Sequence, residues 1–288
     1  MLNIGYLGPP GTFSELAVRY YIEEKIKKDM SKNEHQDEIM LTPFSSLQKV
    51  LLAVEKGTVT VGIVPLENSV EGAVNQTLDL LAHNFFNIYF QKEIILAVIH
   101  HLLVRPGTKL SGLKQIISHP QPLAQCRNYI EQNFPDVETI ETSSTASAAA
   151  LVAGSHEPWA AIGTTLAAEN NGLQVLASNI NDYPDNATRF MVVGLEDNEQ
   201  VPGCKTSVIV TIKDRPGALY SILAEFARRN INLTRIESRP AKRKLGDYLF
   251  FIDFLGHRLD KEVRKALDEI VNHTLSLRVL GSYPAHQC

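Results

Sequence analysis

The sequence predicts a two-lobed α/β region followed by a small α+β domain of the ferredoxin-like kind. Three observations carry this. Short β-type runs alternate with helical stretches over the first two hundred residues, the pattern of a parallel sheet covered by helices. The last ninety read as strand, helix, strand, strand, helix, strand, which is the split βαβ order. Charge changes at the same place: residues 1–202 carry 13 Lys and Arg against 23 Asp and Glu, and residues 203–288 carry 15 against 9. A domain boundary is therefore expected near 200.

Taken in order, "NIGYLG" opens the chain as a strand, and "SELAVRYYIEEKIKK" follows as a helix with Leu16, Tyr20 and Ile22 to Ile26 at roughly helical spacing and Ser14 as its expected N-cap. The polar stretch Asp29–Glu38 is expected to be a solvated loop. "EIMLTPF" is a strand, "SSLQKVLLAVEKG" a helix closed by Gly57, and "VTVGIVPLENS" a strand. "VEGAVNQTLDLLAHN" places Val70, Val74, Leu78 and Leu81 on one helical face. "IYFQKEIILAVIHHLLV" is long, β-rich and without a break, as a segment crossing from one lobe to the other would be.

A second alternating set follows: the strand "KQIISHP", a helix from Leu123 to Asn133, the strand "VETIET", the helix "STASAAALVA", the strand "WAAIG", the helix "TTLAAENNG" and the strand "LQVLASNI". "RFMVVGL" returns as a strand. A single doubly wound sheet competes with two lobes for this order. The last domain is "KTSVIVTI", the amphipathic helix "GALYSILAEFARRN", "INLTRIESRP", "DYLFFIDFLG", the helix "DKEVRKALDEIVN" and "TLSLRVLGSYP".

Composition narrows the function classes. At 44% hydrophobic and 21% charged, 288 residues suffice for a sizeable core, and disorder is not expected. No stretch approaches about twenty uninterrupted apolar residues, and "MLNIGYLG" lacks the features of a signal peptide, so no membrane partner and a cytoplasmic location are expected. Cys126, Cys204 and Cys288 lie far apart without metal-ligand spacing, which predicts reduced thiols and no metal. "RPAKRK" is basic but short and without interleaved aromatics, so no nucleic-acid partner is expected.

Four stretches carry chemistry. In "GYLGPPGTFSELA" the glycines let backbone approach a ligand, and the free N–H groups at the helix start, Thr12 to Glu15, favour an anion; an ordinary capped βα turn explains the same residues. "VPLENSVEGAV" sets Glu67 and Asn68 where a strand ends and a helix begins, the rim at which open α/β sheets bind ligands, with Ser69 able to cap the helix. "SHPQPLAQC" places Ser118 at a strand end and Gln125 about two turns on; His119 is a candidate acid or base, set against the turn residue that a lone His beside Pro more often is. In "DNATRF", Arg189 offers a planar fork for a carboxylate, against the alternative of a surface pair with Asp182 or Asp185, and Thr188 can donate one hydrogen bond.

These stretches coincide with one family. "GPPGTFSE", "PLENSVEGAVNQTLDLL", "SHPQPLAQC" and "TRF", with "GALY" and "ESRP" in the last domain, stand in family order over nearly the whole chain. The chain closely resembles prephenate dehydratases of the monofunctional bacterial type, which have a two-lobed catalytic region followed by an ACT regulatory domain. The lobes share the arrangement of periplasmic binding proteins. The resemblance implies a catalytic domain over 1–200, its lobes about 1–85 with 185–195 and about 86–184, and an ACT domain over 203–282.

The same resemblance implies conversion of prephenate to phenylpyruvate, carbon dioxide and water in phenylalanine biosynthesis, without metal or organic cofactor. Thr188 would assist the departing ring hydroxyl, with Asn68, Ser118, Gln125 and Glu67 as further active-site residues. The expected substrate-binding set is Gly11, Thr12, Phe13, Ser14, Ser69, Arg189 and Phe190, with the donors of "GPPGTFS" and Arg189 directed at the pyruvyl carboxylate. L-Phenylalanine would bind the ACT domain through Gly217, Ala218, Leu219 and Asn232 with Glu237, Ser238, Arg239 and Pro240, the two halves meeting across a subunit interface, so self-association as a dimer or tetramer is expected. No chorismate mutase activity is expected. Arogenate dehydration and a non-catalytic amino-acid sensor are the rival readings.

Overall fold

The computed structural model describes residues 1–32, 38–242 and 248–286. By contact density the chain divides into two compact units. Met1–Val50, Ile63–Gly72 and Ile95–Phe190 form the first; Leu51–Gly62, Ala73–Ile94 and the chain from Met191 onward form the second.

Two sheets, not one doubly wound sheet, build the α/β part. The first joins β1 (Leu2–Leu7), β2 (Ile39–Phe44), β3 (Val61–Asn68), β4 (Gly72–Ala73), β5 (Tyr89–Ala97) and the late-returning β11 (Ala187–Gly194), in the order β2-β1-β3-β11-β5 with β4 on β3. The second contains β6 (His101–Val104), β7 (Gln115–Ser118), β8 (Glu138–Glu141), β9 (Trp159–Gly163) and β10 (Gln174–Ala177), in the order β10-β6-β9-β7-β8. Strand β7 runs parallel to β8 and β9, while β6 is antiparallel to β9 and β10.

Seven helices among the described residues serve these sheets: α1 (Phe13–Lys32), α2 (Leu47–Glu55), α3 (Asn75–His83), α4 (Pro120–Gln125), α5 (Arg127–Asn133), α6 (Thr145–Gly154) and α7 (Thr165–Asn171). The second sheet is covered on both faces. Leu102, Val104, Ile116 and Ile162 pack with Cys126, Ile130 and Phe134, whereas Leu103, Ile117 and Ala161 pack with Ala148, Ala149, Val152, Ala167 and Ala168. Successive side chains of a strand point to opposite faces, so a strand buried on both reads as an unbroken apolar run.

Several expectations change. Helix α1 continues to Lys32 through the start of the stretch read as a loop; residues 33–37 lie outside the described residues. Ser14 is the second residue of α1, not its N-cap. The long β-run breaks after Ala97, and its halves β5 and β6 belong to different sheets. The helix expected from Leu123 is two short ones that part at Cys126, whose φ of −116° leaves the helical range; Pro120 and the Nδ1 of His119, which accepts from the Gln121 N–H, start the first. Helix α3 begins at Asn75, so Ser69 caps nothing and lies in the turn before it.

In the second unit β12 (Cys204–Ile212), α8 (Ala218–Arg228), β13 (Leu233–Pro240), β14 (Tyr248–Leu255), α9 (Lys261–His273) and β15 (Ser276–Pro284) form an antiparallel sheet in the order β13-β14-β12-β15. Val208, Val210, Ile252 and Phe254 from one face meet Ile222 and Phe226 of α8 and Val263, Ala266 and Ile270 of α9. Against the other face, Arg278 of β15 reaches the C-terminal end of α3. Its guanidinium donates to the carbonyls of Leu81 and Phe85 and lies 5.2 Å from the Phe86 ring centroid. A cation at that end complements the helix dipole, and burial lowers the Arg278 pKa to about 10.

Candidate active site

Asn68 organises the first unit's polar cluster. It ends β3, and its Oδ1 accepts from the backbone N–H groups of Val70 and Glu71 at 3.0 and 2.9 Å. A backbone N–H can only donate, so the amide is oriented without ambiguity. Its Nδ2, with two hydrogens, then donates to Asn186 Oδ1 at 2.8 Å and to Thr188 Oγ1 at 2.9 Å, with the Ala187 carbonyl at 3.2 Å sharing one of them. Thr188 therefore accepts from Asn68, and its own hydroxyl proton is left for another acceptor.

The cluster extends to the second sheet within the same unit. Asn186 Nδ2 donates to Gln125 Oε1 at 3.1 Å, and Gln125 Nε2 donates to Glu71 Oε1 at 3.2 Å. Ser69 closes the turn: its Oγ accepts from the Ala187 N–H and donates to Asn186 Oδ1. Asn186 and Gln125 are 2% and 3% exposed, and buried polar groups of this kind hold one arrangement only when their partners are satisfied. Sequence reading missed Asn186 and Glu71. Both stand inside quoted motifs, Asn186 two residues before Thr188, so the signal was there.

Other expected residues lie elsewhere. Glu67 and Arg189 form an ion pair at 3.0 Å with Arg189 only 7% exposed. Each is the strand neighbour of Asn68 or Thr188 and so points to the opposite face of the sheet. The guanidinium expected to clamp a substrate carboxylate already holds one from the chain, that of Glu67. Ser118 is fully buried, and its hydroxyl donates to the Ile162 carbonyl at 2.8 Å, tying β7 to β9. Phe190 is a core residue.

The loop before α1 differs in the same way. The Gly11 N–H donates to Glu15 Oε2 at 2.7 Å, and Glu15 in turn receives Arg19. The anion expected at this helix start is thus supplied from one turn along. Thr164 caps α7 and donates its hydroxyl to the Gly11 carbonyl at 2.7 Å. A Cβ on Gly11 would stand 3.2 Å from Ala167 Cα, and its φ is +90°, so glycine is required. Ser14 is buried, Thr12 is half-buried, and the Phe13 ring meets His100 edge-on at 5.4 Å.

In the second unit Gly217, at φ +79°, precedes α8, and Ala218 and Leu219 open that helix. Strand β13 shifts register between Leu233 and Arg235, after which Ser238 sits opposite Phe250, and Glu237 and Arg239 sit opposite Phe251 and Leu249. Ser238 thus shares the helix-covered face, while Glu237 and Arg239 share the other. There Arg239 donates to Asp79 Oδ1 at 3.1 and 3.2 Å and Lys242 approaches Asp79 Oδ2 at 2.8 Å. Burial pushes the Asp79 carboxyl up, but these two cations hold it below the usual range. Part of the basic run is therefore committed to Asp79; residues 243 and 244 lie outside the described residues. Asn232 and Pro240 are exposed at the strand ends.

Among the described residues no group of three or more His, Cys, Asp or Glu is placed to hold a metal, and no helix is long and apolar enough to cross a membrane. Cys126 and Cys204 are buried free thiols whose pKa burial raises; Cys288 lies outside the described residues.

Known proteins share this chain over its length. Prephenate dehydratase matches residues 4–198, and the ACT domain matches residues 206–272. A prephenate dehydratase of Methanocaldococcus jannaschii is 41% identical over 286 residues, with 97% of each chain covered. The crystal structure of a prephenate dehydratase from Arthrobacter aurescens in complex with L-Phe superposes with a TM-score of 0.85 at 36% identity, covering 99% of this chain and 90% of that one. GqqA, described as a quorum-quenching acylase, gives 0.84 at 28% identity, covering 99% and 98%.

Proposed function

Because the chain belongs to the prephenate dehydratase family, we propose that it converts prephenate to phenylpyruvate, carbon dioxide and water. Loss of the ring carboxylate as carbon dioxide sends its electron pair into the ring. The ring carbon–oxygen bond breaks as the ring becomes aromatic, and the departing oxygen takes a proton and leaves as water. The aromatic product supplies the driving force. The protein's task is to hold the substrate and assist the oxygen without stabilising the carboxylate that must lose its charge, since ground-state stabilisation does not raise kcat.

The observation that supports this reading is the hydrogen bond from Asn68 Nδ2 to Thr188 Oγ1. An accepted hydrogen bond makes the Thr hydroxyl a better donor and turns its proton outward. Thr188 delivers that proton to the departing oxygen, and solvent restores it. Asn68 orients Thr188, Asn186 holds Asn68, and Gln125 holds Asn186. Glu67 and Arg189 brace the opposite face of β3 and β11, and Ser118 braces the second sheet. The loop from Gly11 to Ser14, with Ser69, borders the substrate.

L-Phenylalanine regulates the enzyme from the ACT domain, as the ligand of the Arthrobacter relative suggests. The amino acid is held at Gly217–Leu219 and Ser238, on the helix-covered face, in a cytoplasmic homo-oligomer. A regulator acts only through different affinities for two states.

The test is phenylpyruvate formation from prephenate, with and without phenylalanine. Steady turnover that phenylalanine lowers is expected. Preferential turnover of arogenate would reassign the substrate within the same chemistry. Tight amino-acid binding without turnover, or acylase activity in place of phenylpyruvate formation, would overturn the reading.

A further inference from the structure

His100 joins β5 to β6 at a point that sequence reading passed over as part of an apolar run. It is 1% exposed, and its Nε2 lies 2.9 Å from Gln125 Oε1. An imidazole nitrogen donates or accepts according to its tautomer. Here the direction follows from the backbone. The N–H groups of Val70 and Glu71 fix Asn68, Asn68 makes Asn186 Oδ1 an acceptor, and Asn186 Nδ2 makes Gln125 Oε1 an acceptor. His100 Nε2 must therefore carry the proton. Gln125 Nε2 is then the donor side, and with one hydrogen on Glu71 it keeps a second for another partner.

The remaining ring nitrogen agrees with a neutral imidazole. His100 Nδ1 is buried without a hydrogen-bond partner among the described residues, so a second proton would add a charge and an unmet donor in a buried place. Burial lowers the His100 pKa, the bond to Gln125 raises it, and the neighbouring His101 lowers it further.

Resting on the dehydratase reading, we propose that His100 is a positioning residue for that reaction: its Nε2–H occupies the second lone pair of Gln125 Oε1 and so aims the Gln125 amide N–H at the substrate. His100 touches no reacting atom in this role. A satisfied core histidine, the plain structural reading, needs a donor at neither ring position in particular.

Two substitutions separate the readings. In His100→Gln the side-chain nitrogen falls where Nε2 stands; in His100→Asn it falls where Nδ1 stands and cannot reach Gln125. Both are polar and neutral. With the full-length protein and prephenate as substrate, His100→Gln should keep kcat/KM within about threefold of the parent. His100→Asn should lose about tenfold, the size of one buried hydrogen bond expressed in the transition state. Gln125→Leu should remove the difference between the two. Equal values for the two variants, whether both intact or both impaired, would overturn the proposal. A parent protein that does not turn over prephenate would instead sink the dehydratase reading itself.

Discussion

Two parts of this molecule use strand motifs in contrasting ways. In the first unit Asn68 and Thr188, 120 residues apart, meet in one hydrogen-bonded cluster with Gln125 and Asn186. In the second, neighbours within "ESRP" part company: Ser238 takes the helix-covered face and Arg239 the face that carries Asp79. The difference is geometric. Residues at the ends of adjacent strands converge on a rim, whereas consecutive residues inside a strand alternate by the pleat. A contiguous motif on a strand is thus two half-motifs, one on each face. The first unit obeys the same rule, because Thr188 and Arg189 are also divided.

The largest expected effect tests the Thr188 side of that division. Thr188→Ala should lower kcat about a hundredfold or more and leave KM within about threefold, the pattern of an interaction made in the transition state. Steady-state rates of phenylpyruvate formation measure it, and an unchanged kcat would remove Thr188 from the chemistry. Arg189→Met should act differently, costing roughly 3 kcal/mol of stability by breaking a mostly buried ion pair while KM holds. Urea unfolding beside kinetics separates the two faces. A raised KM at full stability would put Arg189 back in contact with substrate.

In the second unit the contrast is finer. Ser238→Ala should raise the half-inhibitory phenylalanine concentration about fivefold, near the worth of one hydrogen bond, and Glu237→Gln should change it less than twofold. The reverse order would place the amino acid on the Asp79 face. The smallest effect concerns pH. Burial is the main cause that lowers the pKa of both His100 and His101, so below about 6.5 the unfolded chain takes up protons before the folded one. Stability contributed by the neutral rings is present above that pH and falls as pH drops toward the folded values. His100→Gln should flatten part of this slope in urea midpoints taken between pH 7.5 and 5.5.

The order of strands and helices was legible because periodicity reports burial; sheet membership was not, because one doubly wound sheet and two separate sheets fit the same order. Asn68, Gln125 and Thr188 were legible through their places at element ends. The pairing of Glu67 with Arg189 was not, although alternation along β3 and β11 would have set both apart from Asn68 and Thr188. His100 escaped because a pair of histidines inside the otherwise apolar "AVIHHLLV" looks like a tolerated interruption. Its partner, Gln125, lies 25 residues on, and no local pattern links them. Helix α1 outran its expected end because Lys and Met in this polar run favour a helix as readily as a loop. The break at Cys126 had no local signal, since Pro120 and Pro122 lie in the first turn of α4, where proline is tolerated.

Gly11 sets a dimension as well as a conformation. Thr164 holds its carbonyl, and Ala167 stands where a methyl group would go, so the approach of this loop to α7 is gauged by a hydrogen atom. Exchanging that hydrogen for carbon would insert a shim under α7. The misfit would be felt first at the Thr164 hydroxyl, which both caps α7 and holds the Gly11 carbonyl at 2.7 Å.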